Sequence, residues 1–126
     1  NTIPIFDPEK KVRKTIMRIV TDTTPVDNPK DKNTPLFNLF SLFLDKNEQK
    51  DLAARYDGSG LRYGDVKQEL FEKIMNHFQP YREKREQLSS NPKKVHDILK
   101  FGAEKAHRVA EDVMERVKLA TGVIYR

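Results

Sequence analysis

A chain of 126 residues, 37% apolar and 34% charged, suffices for one compact domain with a core and is too short for a cofactor domain plus a second domain. The net charge of +5 and a pI near 9.4 favour polyanionic partners such as nucleic acid. The absence of cysteine excludes disulfides and thiolate metal sites and fits a reducing cytosol, and no apolar run is long enough to cross a membrane.

Residues 1–6 read as an extended lead-in segment without the basic start of a signal peptide. Asp7-Pro8-Glu9 predicts a helix start, with a capping side chain, a proline at the first helical position and an acid in the first turn. Val12, Ile16, Ile19 and Val20 form its apolar stripe, and the helix is expected to end near Thr21-Asp22. Residues 23–34 are a Pro/Asp/Asn-rich loop, long enough for a compact domain to suggest a functional or mobile segment. Thr34-Pro35 opens a helix that Leu36, Phe37, Leu39, Phe40, Leu42, Phe43 and Leu44 surround with apolar groups. That pattern predicts burial on all sides at the centre of the core.

Asn47-Glu48-Gln49 starts a short helix with Leu52, Ala53 and Tyr56 facing inward, and Asp57-Gly-Ser-Gly60 ends it. The glycines there lack the lysine and spacing of a phosphate loop and read as a plain turn. Asp65 caps the longest predicted helix, whose stripe runs Val66, Leu70, Ile74, Phe78 and Tyr81. Pro80 lies inside it and predicts a kink or a break. Asn91-Pro92 starts a further short helix, and a terminal helix runs from Gly102 to a left-handed cap at Gly122. Its face of Ala103, Ala106, Ala110, Val113, Val117 and Ala120 has helical period and small side chains, as in a helix that docks closely onto a bundle. No strand-like alternation, repeat or low-complexity tract occurs. The expected fold is all-α, an irregular bundle of about six helices in a single domain, residues 1–126.

His77, His96 and His107 have no partners at metal-binding spacing, and no catalytic serine or threonine pattern is present, so neither a metal site nor a catalytic residue is expected in this chain. Asp65, Glu69 and Glu72 share one helix but read as a solvated face. Two basic stretches stand out. One runs from Lys10 and Lys11 through Arg13 and Lys14 to Arg18. The other is Arg82, Lys84 and Arg85, joined by Lys93, Lys94 and Lys100. Both suit a phosphate backbone, although the interspersed acids also fit an ordinary solvated face.

Five segments in order carry a resemblance. They are Asn1-Thr-Ile-Pro-Ile-Phe6, Lys14-Thr-Ile-Met-Arg-Ile-Val-Thr-Asp22, Tyr63-Gly-Asp-Val-Lys67, Phe78-Gln-Pro-Tyr-Arg82 and Gly102-Ala-Glu-Lys-Ala106. Together they resemble the C-terminal portion of bacterial tryptophanyl-tRNA synthetases. The Tyr-Gly-Asp-x-Lys and Gly-Ala-Glu-Lys-Ala pair favours these over the related tyrosyl enzymes. The resemblance implies the helical anticodon-binding domain of a cytoplasmic class I ligase. Such a ligase activates tryptophan with ATP and magnesium on a Rossmann domain and esterifies it to its tRNA. The HIGH- and KMSKS-type signatures of that domain are not in this sequence, and the KMSKS-type loop is expected just before Asn1. The chain alone is therefore expected to bind no cofactor and to be inactive. By the same resemblance the full enzyme is a homodimer joined mostly through the other domain, and the isolated portion a monomer. Lys67 matches a motif position, and the start of the helix at Thr34 is expected to lie towards the anticodon. Arg82, Lys84 and Arg85 are electrostatic choices for holding phosphates, and Asn33 is a donor suited to unstacked base edges. The rival reading is a basic helical protein-interaction module that binds no RNA.

Overall fold

A computed structural model describes residues 2–123. It contains five helices: α1 (Glu9–Met17), α2 (Pro35–Ser41), α3 (Lys46–Asp57), α4 (Tyr63–Ser89) and α5 (Pro92–Thr121), with no strand among the described residues. The all-α expectation stands with one helix fewer. Gly102 is helical, so the two expected C-terminal helices are one. A helical glycine costs only about 1 kcal/mol relative to alanine, and the Ala103-Glu-Lys-Ala106 that follows consists of strong helix formers. The chain divides within α4 into two compact units, Asn1–Arg82 and Glu83–Arg126.

The first unit holds the core. Val12 and Ile16 of α1, Leu36 and Phe40 of α2, Leu52 and Tyr56 of α3, Leu61, and Val66, Leu70, Phe71 and Ile74 of α4 form one buried cluster. The predicted stripes supply most of it, but Tyr81, expected on the α4 stripe, is 58% exposed, and the helix edges also differ from expectation. At α1 the N-cap is Pro8, with no side-chain cap, and Asp7 instead pairs with Lys11 at 2.6 Å. The helix stops at Met17, ahead of the β-branched run Ile19-Val20-Thr21, which disfavours helix. As a result Ile19 is only half-buried and Val20 is 83% exposed.

α2 is capped as expected: the Thr34 hydroxyl accepts a bond from the Phe37 N–H at 3.3 Å, and Pro35 occupies the first turn. It is not buried all round. Seven residues make two turns with one inward face, so Leu36 and Phe40 are buried while Leu42 is 78% exposed. The chain then turns under Gln49, whose amide donates to the carbonyls of Ser41 and Leu44. α3 begins one residue before the expected start, through a capping box. The Asp45 carboxylate accepts from the N–H groups of Asn47 and Glu48, and Glu48 accepts from the N–H of Asp45.

α4 begins at Tyr63, which puts Asp65 in its first turn and not at the cap. It continues through Pro80 to Ser89, so the sequence does not interrupt the helix there. Asn76 and Pro80 are both exposed, which lets water satisfy the carbonyl that proline leaves without a donor. The 23–34 loop is braced from inside. Lys30, 5% exposed, donates its ammonium to the carbonyls of Thr24 and Pro25 at 2.6 and 2.5 Å and lies over the Tyr63 ring at 5.3 Å. Its N–H donates to the Tyr56 carbonyl at 2.7 Å, and the Gly60 N–H donates to Val26.

In the second unit the end of α4 turns at Ser90 and Asn91 into α5. Asn91 accepts from the Lys94 N–H, and Gly122 adopts the expected left-handed cap with φ 69°. The terminal helix also differs from expectation in burial: no residue of α5 is buried, so the face expected to lie on a bundle is open.

Candidate nucleic-acid interface

Packing of α1 against α4 decides where the first unit's cations lie. The two helices run antiparallel. Lys67 near the start of α4 donates to the Met17 carbonyl at the end of α1 at 3.4 Å, and Arg13 donates to Gln68 at 3.1 Å. Further along α4, Arg82 donates to the carbonyls of Ile5 and Asp7, just before α1, the latter at 2.9 Å.

Lys67 and Arg82 therefore do not converge. Lys67 is the fifth residue of α4, past the first turn, and half-buried; that burial lowers its pKa. Arg82 sits fifteen positions further along the same helix, about 22 Å at 1.5 Å per residue. Its guanidinium holds the lead-in segment in place. Lys84 and Arg85 are exposed and belong to the second unit. Asn33 is exposed, with its N–H donating to Asp31 at 2.7 Å. Thr34 is occupied in capping α2, although its hydroxyl proton remains a donor.

The other basic stretch, on α1, forms an exposed cationic row in this unit. Lys10, Lys14 and Arg18 stand four residues apart, which places them in one row with steps of about 6 Å. All three are exposed, and none is within ion-pair distance of an acid among the described residues. The neighbouring cations are engaged elsewhere. Lys11 pairs with Asp7, Lys32 with Asp57, Arg55 in a two-bonded fork with Glu69, and Lys73 with Glu48. The row ends at the C-terminus of α1, where the helix dipole favours positive charge, and Lys67 borders it there. The i, i+4, i+8 spacing was visible in the sequence. Which of the cations pair internally was not, because their partners lie up to 77 positions away.

The acids show no catalytic arrangement. Glu69 is held by Arg55, and Glu72 accepts from Gln68. The lowered carboxyl pKa values belong to groups that hold the fold. Asp22 is held down by bonds from Thr24, Asp45 by the N–H groups it caps, and Glu48 by Lys73. Burial drives the Tyr56 hydroxyl up to about 12, and burial together with the bond to Asp22 raises Tyr63. His77 packs edge-on against Phe43 and Phe78, and His107 lies 3.0 Å from Glu111. No group of three or more metal-ligating side chains occurs among the described residues.

A basic chain with no strand among the described residues and an exposed cationic helix row has counterparts among the aminoacyl-tRNA ligases, as part of a larger chain. No protein-family model matches the sequence. The relatives do: the chain matches the C-terminal part of bacterial tryptophan–tRNA ligases. It is 43% identical to the tryptophan–tRNA ligase of Rhodopirellula baltica over 98% of its own length and 39% of that protein. The Campylobacter jejuni ligase is 42% identical over 93% of this chain and 37% of its own. The crystal structure of the Campylobacter jejuni tryptophanyl-tRNA synthetase superposes with a TM-score of 0.90 at 40% identity, covering 98% of this chain and 40% of that one. The chain thus spans about two-fifths of the length of the relatives it matches.

Proposed function

We propose that this chain is the anticodon-binding part of a tryptophan–tRNA ligase, with residues 1–126 acting as one RNA-binding domain that positions the tRNA. The observation that carries this reading is the match along 98% of the chain to ligases that bear that name. The chemistry agrees with it. Lys10, Lys14, Arg18 and Lys67 hold phosphates, Lys84 and Arg85 extend the basic surface in the second unit, and Asn33 and Thr34 offer donors to unstacked bases. Arg82 acts on the fold and not on the RNA. Activation of tryptophan with ATP and magnesium, and the homodimer contact, fall to the part of the ligase outside the match, and the setting is the cytosol. The chain alone binds no ATP and does not turn over tryptophan.

The test is a shift titration with tryptophan-specific tRNA and a non-cognate tRNA over a range of salt concentrations. Cognate binding should be tighter and fall with salt. Replacing Lys10, Lys14 and Arg18 together with Gln should lower the slope of log K against log salt by roughly 2–3, as expected for three lost phosphate contacts. Binding of neither tRNA would favour the protein-interaction module. An unchanged slope would move the phosphate track to Lys84 and Arg85.

A further inference from the structure

Lys30 is buried, yet among the described residues no carboxylate lies within ion-pair distance of its ammonium. Taking an ammonium out of water is costly, and an apolar side chain would fill the same space at less cost. What the ammonium adds is direction. It donates to two adjacent carbonyls, those of Thr24 and Pro25, and lies over the ring of Tyr63 at the start of α4. The N–H of the same residue is bonded to Tyr56 of α3. One residue thus ties both halves of the 23–34 segment to the helices beneath. The Lys32–Asp57 pair also ties the segment to α3, but it is exposed and holds it only weakly.

The pinned segment begins where the cationic row of α1 ends. Tyr63 and Lys67 are four residues apart on α4, about 6 Å along one face. Lys67 reaches Met17 beside the end of the row, and Tyr63 donates to Asp22 at 3.0 Å, just before the segment. The segment exposes Asn28 and Asn33, whose side-chain amides take no part in the bonds that hold it. Such an amide can read the edge of an unstacked base, provided its backbone is held to within about 0.5 Å. We infer that Lys30 is a positioning residue for RNA recognition: without touching RNA, it fixes the 23–34 segment so that Asn28 and Asn33 meet unstacked bases at the end of the α1 row. The inference rests on the RNA-binding reading above, and the two fail differently.

The chain has no cysteine, so Lys30→Cys supplies a single thiol. Alkylation with bromoethylamine in urea, followed by refolding, restores a side chain with the reach and charge of lysine. Wild type, Lys30→Cys and the aminoethylated protein are each taken through urea and titrated with tryptophan-specific and non-cognate tRNA over a range of salt. Helical circular dichroism confirms refolding. Lys30→Cys should weaken cognate binding by about tenfold and non-cognate binding by less than about twofold, with the salt slope unchanged. Aminoethylation should bring the preference back to within about twofold of wild type. A merely structural lysine would lower both affinities together. Equal loss for the two tRNAs, a preference that survives in Lys30→Cys, or a loss that aminoethylation does not reverse would overturn the inference. A smaller salt slope would overturn it too, by making Lys30 a phosphate contact. A second variant, Asn28→Ala with Asn33→Ala, leaves the buried lysine in place and should lose the same preference; a preference retained there would also overturn the inference. Refolded wild type that does not prefer cognate tRNA would instead sink the RNA-binding reading, and this inference with it.

Discussion

A guanidinium carries five N–H donors in a fixed fork, and at Arg82 the carbonyls of Ile5 and Asp7 take up part of it. Without it, those carbonyls must find water or remain unpaired, and an unmade bond of this kind costs about 1–3 kcal/mol. Arg82→Gln should therefore destabilise the chain by about 1–3 kcal/mol in urea unfolding and change tRNA affinity by less than about twofold. A large loss of affinity with unchanged stability would return Arg82 to the RNA surface. Lys67 behaves oppositely. Burial lowers its pKa in the folded chain, so the unfolded chain binds the proton more tightly. The charge therefore opposes folding at neutral pH, and that opposition is relieved as pH rises towards and past the ordinary value of 10.5. Lys67→Gln should leave the fold equally or more stable. In a complete ligase it should lower kcat/KM for tRNA by roughly 1–3 kcal/mol while tryptophan activation is unchanged. Equal aminoacylation by both proteins at every salt concentration would make Lys67 an ordinary surface lysine.

The helix starts show where local chemistry decides. The Asp45 capping box should make Asp45→Ala cost about 1 kcal/mol, read as a lower urea midpoint. It also fixes a pH dependence. Asp45 and Glu48 both titrate lower in the folded chain than in the unfolded one, through the N–H bonds to Asp45 and the Lys73 bond to Glu48. Their stabilisation is complete above about pH 4.5 and is lost as pH falls below it, and this acid-side loss should be smaller in Asp45→Ala. The caps at Thr34, Asn91 and Gly122 were legible in the sequence because each is a local pattern, whereas the Asp45 cap was missed although its Asp-x-x-Glu spacing is equally local. The buried stripes were legible by period. The errors at Val20 and Leu42 came from extending apolar periodicity past a helix end that backbone propensity and chain reversal set. Gly102 was read as a boundary because glycine often is one, but its neighbours carry the helix across it. Pairing of cations over long sequence separations left no local signal, which is why the bonds from Arg82 to the carbonyls of Ile5 and Asp7 were not foreseen.

For the molecule as a whole, the net charge of +5 is unevenly distributed in effect. Lys11, Lys32, Arg55 and Lys73 are paired with carboxylates, which offsets their charge locally, while Lys10, Lys14 and Arg18 on α1 have no such pair among the described residues. Lys30 has a different consequence. An amine enclosed by two carbonyls and an aromatic ring is inaccessible to an acylating reagent until the 23–34 segment lifts away from Tyr56 and Tyr63. Among the described residues it is the one buried charged side chain. Its acetylation should therefore lag that of Lys10 and Lys14 by more than roughly tenfold. The lag, measured by mass spectrometry, is a clock for the spontaneous opening of that segment, and the chain carries it without any added label.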